Sequence, residues 1–298
     1  MVHYKCTRWA VDISSWTPTL TQLAQAVAVI QPEERVRLMK FFFIDDFLSS
    51  LVGRLLMRKF ISTNTNIRYE NVHITRDVRG KPYLQHADGN CNNQLCFNVS
   101  HQGKYIVLAG ITTDRNNEEI SSKTSGEEQV GVGVDVMKIE YSGGRGLAEF
   151  FRIMQRKFSD TEWRYIRRPH HNEADQVKAF IRHWCLKEAY VKELGVGITV
   201  DLQKISFTVD RTHELEMSTT PLTGTTLCCN DKPMPEWYFE EHLLHPKYCA
   251  AIAFKNFKPE LGKFENLEIE ELLMATEAAK SAEVIEYCRT VLGKERKK

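Results

Sequence analysis

A chain of 298 residues has room for one large domain or two of ordinary size. With 42% hydrophobic and 27% charged residues it reads as a soluble globular protein; 40 basic against 39 acidic side chains leave a net charge of +1. No global field is therefore offered to nucleic acid, and any anion site has to be a local cluster. No run approaches the roughly 18 apolar residues of a membrane span, and the first residues lack the apolar core of a secretion signal. A cytoplasmic protein with reduced thiols is expected.

In chain order, residues 8–13 alternate like a strand, and a helix is expected over about 19–29. Pro32 suits the first position of a further helix, with Glu33 and Glu34 at its positive end. The stretch from 33 to about 62 has no proline and only Gly53, so it reads as one long helix or two abutting ones. Strands follow at 72–76, around 83, at 95–99, 105–112 and 130–137. The polar run from Asp114 to Gln129 reads as a solvated loop. Helices are expected at 147–157, from the capping sequence at Ser159 through Arg167, and over 174–194, stopping at Gly195-Val-Gly197. Strands at 203–209, 225–229, 236–240 and 248–255 precede an acidic amphipathic helix at 267–291 and a basic end. A long helix followed by strands occurs twice, which fits a duplicated α+β architecture with a cleft between the halves.

Two segments carry chemistry. Gly133-Val-Asp-Val-Met-Lys138 places Asp135 in a run otherwise fit for a buried strand, where an acid is costly unless paired, hydrogen-bonded or metal-bound. Trp184-Cys-Leu-Lys-Glu-Ala-Tyr-Val-Lys192 places Glu188 and Lys192 one helical turn apart, on the flank of a stripe formed by Phe180, Trp184, Val191 and Leu194. A solvated Glu–Lys pair would account for the second segment taken alone. Two carboxylates from different elements, with lysines beside them, can instead hold a hard cation and the phosphates bound to it. Lys187 falls within the apolar stripe, an awkward place for a charge unless its head escapes or meets an anion. Arg76-Asp-Val-Arg-Gly-Lys-Pro82 gathers three cations round a glycine turn, and Arg35, Arg37 and Lys40 share a helix. His86, Cys91, Cys96 and His101 recur every five residues but lack the C-x-x-C spacing of a zinc site. Asn98-Val-Ser100 is formally a glycosylation sequon, expected to stay unmodified without a secretion signal.

Together these segments resemble the 4′-phosphopantetheinyl transferases of the larger, surfactin-synthetase-activating type. That family's marks, G-(V/I)-D and W-x-x-K-E-(A/S)-x-x-K, appear here as Gly133-Val134-Asp135 and as Trp184, Lys187, Glu188, Ala189 and Lys192. Arg79-Gly-Lys-Pro82 and Phe97-Asn-Val-Ser-His101 match upstream, in order, within a likeness covering roughly residues 8–255. Its animal members are further matched by Ile30-Gln-Pro-Glu-Glu34, Gly53-Arg-Leu55, Ser100-His-Gln-Gly103 and Glu149-Phe-Phe-Arg-Ile-Met154.

The resemblance implies two pseudo-symmetric α+β subdomains, each a long helix on a small, mainly antiparallel sheet. These would be residues 1–130 and 131–258, followed by a tail at 259–298. It implies coenzyme A as substrate and Mg²⁺ as cofactor in the cleft between them. Phosphopantetheine would pass to a serine of an apo carrier protein and adenosine 3′,5′-bisphosphate would leave. The carriers it suggests are fatty acid synthase, a mitochondrial acyl carrier protein and an aminoadipate reductase; family habit favours a monomer. By position, Asp135 and Glu188 would hold Mg²⁺, with Gln102 a further candidate, and Lys192 would meet the phosphates. Arg37, Arg76, Arg79 and Lys81 would hold the nucleotide end, with Asp77, Val78, Gly80, Asn98, Val99, Ser100 and His101 on the same binding surface. Many bacterial members place a second acid two residues after the first; here that position is Met137, no ligand for a hard cation. Phe150 to Lys157 combines apolar anchors with three cations, which suits an acidic carrier. A coenzyme-binding protein without turnover, or a scaffold using the tail, are the alternatives on the same fold.

Overall fold

A computed structural model describes residues 3–84, 95–114, 130–195, 200–210 and 220–297. His86, Cys91, most of the 114–129 loop and the Val196-Gly197 end of the helix stop lie outside the described residues. The fold is α+β, with a long helix and a sheet in each half.

The first sheet has the order β12-β1-β5-β4, from strands β1 (His3–Asp12), β4 (Leu95–Gln102), β5 (Tyr105–Asp114) and β12 (Glu265–Asn266). Its pairings are antiparallel except β12, which runs parallel to β1. Before β4 the chain forms helices α1 (Leu20–Ala28), α2 (Pro32–Met39) and α3 (Ile44–Asn64), then a small hairpin of β2 (Ile74–Arg76) and β3 (Pro82–Leu84). The second half contains β6 (Gly131–Lys138), α4 (Leu147–Ile153), α5 (Asp160–Ile166) and α6 (Glu173–Leu194). A minor sheet of β7 (Ile205–Thr208), β8 (Thr226–Cys229) and β9 (Lys232–Pro233) follows. The main second sheet has the order β10-β11-β6, using β10 (Trp237–His245) and β11 (Tyr248–Lys255). Helix α7 (Ala282–Leu292) comes last.

The two-residue period of the strands builds four layers. In β5, Ile106 and Leu108 point to α3, while Tyr105, Val107, Ala109 and Ile111 point to the other sheet. In β6, Val132, Val134 and Val136 join that middle core, with Ala250, Ile252 and Phe254 of β11. The opposite face of β6 packs on α6. Helix α3 covers the first sheet as α6 covers the second, so the order is helices, sheet, sheet, helices. Arg8 of β1 and Glu240 of β10 make a buried two-point ion pair between the sheets at 2.7 Å.

One expectation is resolved between its alternatives and one changes. The stretch from Pro32 is two helices separated by a corner at 40–43, where no proline or glycine marks a break. The acidic segment is helical only over 282–292, with single 3₁₀ turns at 269–272 and 277–280. Leu267, Ile269, Leu272, Val284, Cys288 and Val291 instead lie in the same core as α1 and α3. Burial of those side chains outweighs the intrinsic helix propensity of the acidic stretch.

Candidate active site at the seam between the sheets

The pairing of the two sheets leaves β6 with a free edge beside β4. The even-numbered side chains of β4 fill it: Asn98 Oδ1 accepts the Val134 N–H at 3.0 Å, the Gln102 Oε1 accepts the Lys138 N–H, and Cys96 lies against the Val132 amide. Ser100, between them, reaches a side chain instead. Its hydroxyl donates to Asp135 Oδ1 at 2.7 Å, and Lys192 Nζ donates to that same oxygen at 2.6 Å and to Ser100 Oγ at 2.7 Å. Three elements, β4, β6 and α6, thus meet at one carboxylate oxygen.

Asp135 is 4% exposed, yet its Oδ2 is buried without a hydrogen-bond partner. Such an atom ordinarily costs free energy, so it marks a place for a ligand. Glu188, one turn before Lys192, has no hydrogen bond or ion pair among the described residues. Burial and the neighbouring Asp135 charge raise its pKa above the usual carboxylate range, with Lys192 opposing them. Two carboxylates that repel each other, one with an orphan oxygen, fit a hard divalent cation. Among the described residues no cluster of three His, Cys, Asp or Glu side chains stands ready for a metal, and Met137 occupies the next position on the same face of β6. Gln102 has one lone pair of its amide oxygen committed to Lys138 and a second left over.

Helix α6 can reach the acid because Gly133 has no side chain. A Cβ there would stand 2.1 Å from Ala189 O and 2.6 Å from Glu193 N, so helix backbone rests on strand backbone. The helix is held from below by Lys187, fully buried, whose ammonium meets Glu162 Oε2 at 2.9 Å and the Leu202 and Ile205 carbonyls. The charge that looked misplaced in the stripe therefore has an anion.

The Arg76–Pro82 turn lies on the C-terminal end of α6. Gly80 has φ +86°, a conformation that favours glycine, and Asp77 Oδ1 accepts the Arg79 and Lys81 amides at 2.9 Å. Arg79 donates to Leu194 O at 2.9 Å and Lys81 to Glu193 O at 3.0 Å. They neutralise the negative end of the helix whose last turn carries Lys192. Both cations keep further donors for an anion. Val78 is fully exposed at the tip, and Val99 packs against the core around α3.

A second basic cluster centres on Glu34. Arg54 meets it at 2.6 Å, Arg76 at 3.1 Å and the more exposed Arg37 at 3.7 Å. Burial alone would raise the Glu34 carboxyl; its bonds to Arg76 and Arg54 prevail and hold it low. Three cations to one anion leave an excess of positive charge. His101, exposed at the end of β4, lies in the fields of both this cluster and the acid pair: partial desolvation, then Lys192 and Arg54, push its pKa down and favour the neutral ring. The roles of Glu34 and Arg54 escaped sequence reasoning, although both lie in the Pro-Glu-Glu and Gly-Arg-Leu segments that had matched the family.

Two family models match the chain: 4′-phosphopantetheinyl transferase, N-terminal, over residues 14–113, and the 4′-phosphopantetheinyl transferase superfamily over residues 131–253. The mouse L-aminoadipate-semialdehyde dehydrogenase-phosphopantetheinyl transferase is 34% identical over 265 residues, covering 89% of this chain and 79% of its own. The Xenopus laevis protein of that name is 35% identical, over 88% and 78%. A phosphopantetheinyl transferase of Thraustochytrium is 33% identical, over 70% and 67%. Fold and seam are those of a transferase. The chain belongs to the 4′-phosphopantetheinyl transferase family.

Proposed function

We propose that the seam binds coenzyme A and passes its 4′-phosphopantetheine to a serine hydroxyl of an apo carrier protein. The observation that supports this most directly is the Asp135–Ser100–Lys192 triangle with the orphan Asp135 Oδ2 near Glu188. Asp135 and Glu188 would hold Mg²⁺, whose charge would neutralise the pyrophosphate. Lys192 moves from the acid to the phosphates when they bind, and neutral His101 donates a hydrogen bond to them. Arg37, Arg76, Arg79 and Lys81 take the nucleotide end, which carries the third phosphate. The serine oxygen forms a bond to the phosphorus on the pantetheine side of the pyrophosphate. The bond from that phosphorus to the bridging oxygen breaks, and adenosine 3′,5′-bisphosphate leaves with the electron pair. The serine proton would pass to the Glu188 carboxylate, directly or through a water. Positioning and charge neutralisation carry such a reaction, so no nucleophile of the enzyme is needed.

The relatives' name points to a carrier domain of the aminoadipate-reductase type as one partner. A docking face is offered at α4 and the turn after it. Phe151 anchors the helix in the core, while Ile153 is 56% exposed between the exposed Arg152 and Arg156. That mixture suits the acidic helix bearing a carrier's serine.

The test is to incubate the protein with coenzyme A, Mg²⁺ and an apo carrier protein and weigh the carrier by mass spectrometry. A gain of one phosphopantetheine, lost on chelation and restored by Mg²⁺, is expected. Coenzyme A binding with no gain on any of several carriers would overturn the proposal.

A further inference from the structure

We infer that residues 294–297 are a positioning element of the coenzyme A site, acting through the corner between α2 and α3; the inference rests on the function proposed above. The nucleotide-facing cluster is split across that corner. Glu34 and Arg37 stand on α2, Arg54 on α3, and their meeting depends on the angle between the two helices. The corner closes the end of α2 only in part, its Lys40 and Phe41 amides turning back to Arg37 O and Leu38 O, and Phe43, at the start of α3, makes no side-chain cap. Unsatisfied groups at helix ends need partners from elsewhere.

The 294–297 segment supplies them on both sides. Lys294 Nζ donates to Met39 O at 3.1 Å and Phe41 O at 2.6 Å, closing the end of α2. The Glu295 carbonyl accepts the first amide of α3, Ile44 N–H, at 2.9 Å. The Lys297 amide donates to Asp45 Oδ2 at 2.9 Å and its ammonium to Asp46 Oδ1 at 2.6 Å. On the opposite side Lys104, in the turn just after His101 and Gln102, also meets Asp45. Asp45 is therefore a rivet between this strap and the strand that carries Ser100 and His101. Helix α7 continues the same hold, its Tyr287 hydroxyl donating to Arg35 O at 2.7 Å.

No contact of 294–297 reaches Asp135, Glu188 or Lys192 in the structure as described. The strap therefore acts on the fraction of molecules whose corner holds the binding geometry. Apparent affinity falls in proportion to that fraction, so a corner correctly set about a tenth of the time binds about tenfold more weakly.

The experiment compares the full chain with a form lacking 294–298, and with Lys294→Met, Lys294→Arg and Lys297→Ala, by calorimetric titration with coenzyme A and with adenosine 3′,5′-bisphosphate alone. The shortened form is expected to lose about tenfold in affinity for both ligands. KM for coenzyme A should rise in step while kcat and the KM for the carrier hold. Lys294→Met and Lys297→Ala should move the same way by smaller factors, and Lys294→Arg should restore binding. The point variants carry the test if the shortened chain does not fold. A lowered melting temperature with unchanged affinity for both ligands would make the strap merely structural and overturn the inference. Failure of the full chain to bind coenzyme A would overturn the proposed function itself, and the inference with it.

Discussion

Asn98 Oδ1 accepts the Val134 N–H at 3.0 Å across the seam, one residue before Asp135. Asn98 stands in a segment expected to touch coenzyme A, yet its buried amide completes the free edge of β6 and fixes where the neighbouring acid stands. Asn98→Ala should leave the buried Val134 amide unpaired and cost about 1–3 kcal/mol in urea unfolding. Asn98→Asp keeps an acceptor and should retain more of the stability. Transfer should fall in Asn98→Ala through kcat, since the acid is displaced.

Asp135→Asn, Glu188→Gln and Lys192→Ala should each suppress carrier modification by about 10²–10³-fold or more, the usual cost of removing one group that stabilises developing charge. Near-ultraviolet circular dichroism should stay unchanged in all three. Retention of full turnover by any one variant would remove that residue from the chemistry.

Glu34 gives the protein an acid limb of stability. Its carboxyl titrates below the ordinary glutamate value in the folded state, so its contribution is complete above the unfolded pKa and is lost as pH falls through the folded one. The urea midpoint should drop on acidification below about pH 4.3, the ordinary glutamate value. Glu34→Gln should have a lower midpoint at neutral pH and a shallower decline toward acid.

The Lys187–Glu162 pair is wholly buried, and burial lowers the pKa of the lysine and raises that of the acid. Lys187→Met strands Glu162 and should cost about 3–5 kcal/mol, read by urea unfolding. Adding Glu162→Gln should return a large part of that loss. Strict additivity of the two changes would mean that the charges do not act as a pair.

Reversing charge at Arg152 and Arg156 together should raise KM for an acidic carrier and leave KM for coenzyme A unchanged. Steady-state kinetics with each substrate varied in turn measures this. Both side chains are exposed and outside any ion pair among the described residues, so the fold should tolerate the change.

The candidate site was legible where it is local in sequence. An acid interrupting a β-branched run and a Glu–Lys pair one turn apart singled out Asp135, Glu188 and Lys192 as candidates, and the structure brings Lys192 onto Asp135. Lys187 was legible as an anomaly, but its partner, Glu162, lies 25 residues upstream at a helix start, where an acid looks like a cap. Glu34 was hidden the same way: acids in a first helical turn are ordinarily solvated, and its partners stand 20 and 42 residues away. Where the break at 40–43 falls was not legible: no proline or glycine marks it, and the groups that meet it, Lys294 and Glu295, are distant in sequence. The acidic tail misled in the opposite sense, since helix propensity describes a segment alone and this one folds against α1 and α3.

Gly133 has a consequence for the spacing of the two acids. The strand bearing Asp135 and the helix bearing Glu188 touch through main chain, with no side chain between them to swell, shrink or change rotamer. The spacing of the two backbones that carry the carboxylates is thus set by main-chain contact rather than by an intervening side chain. If the pair holds a divalent ion as proposed, its selection by radius would depend in part on a residue that supplies no ligand atom at all.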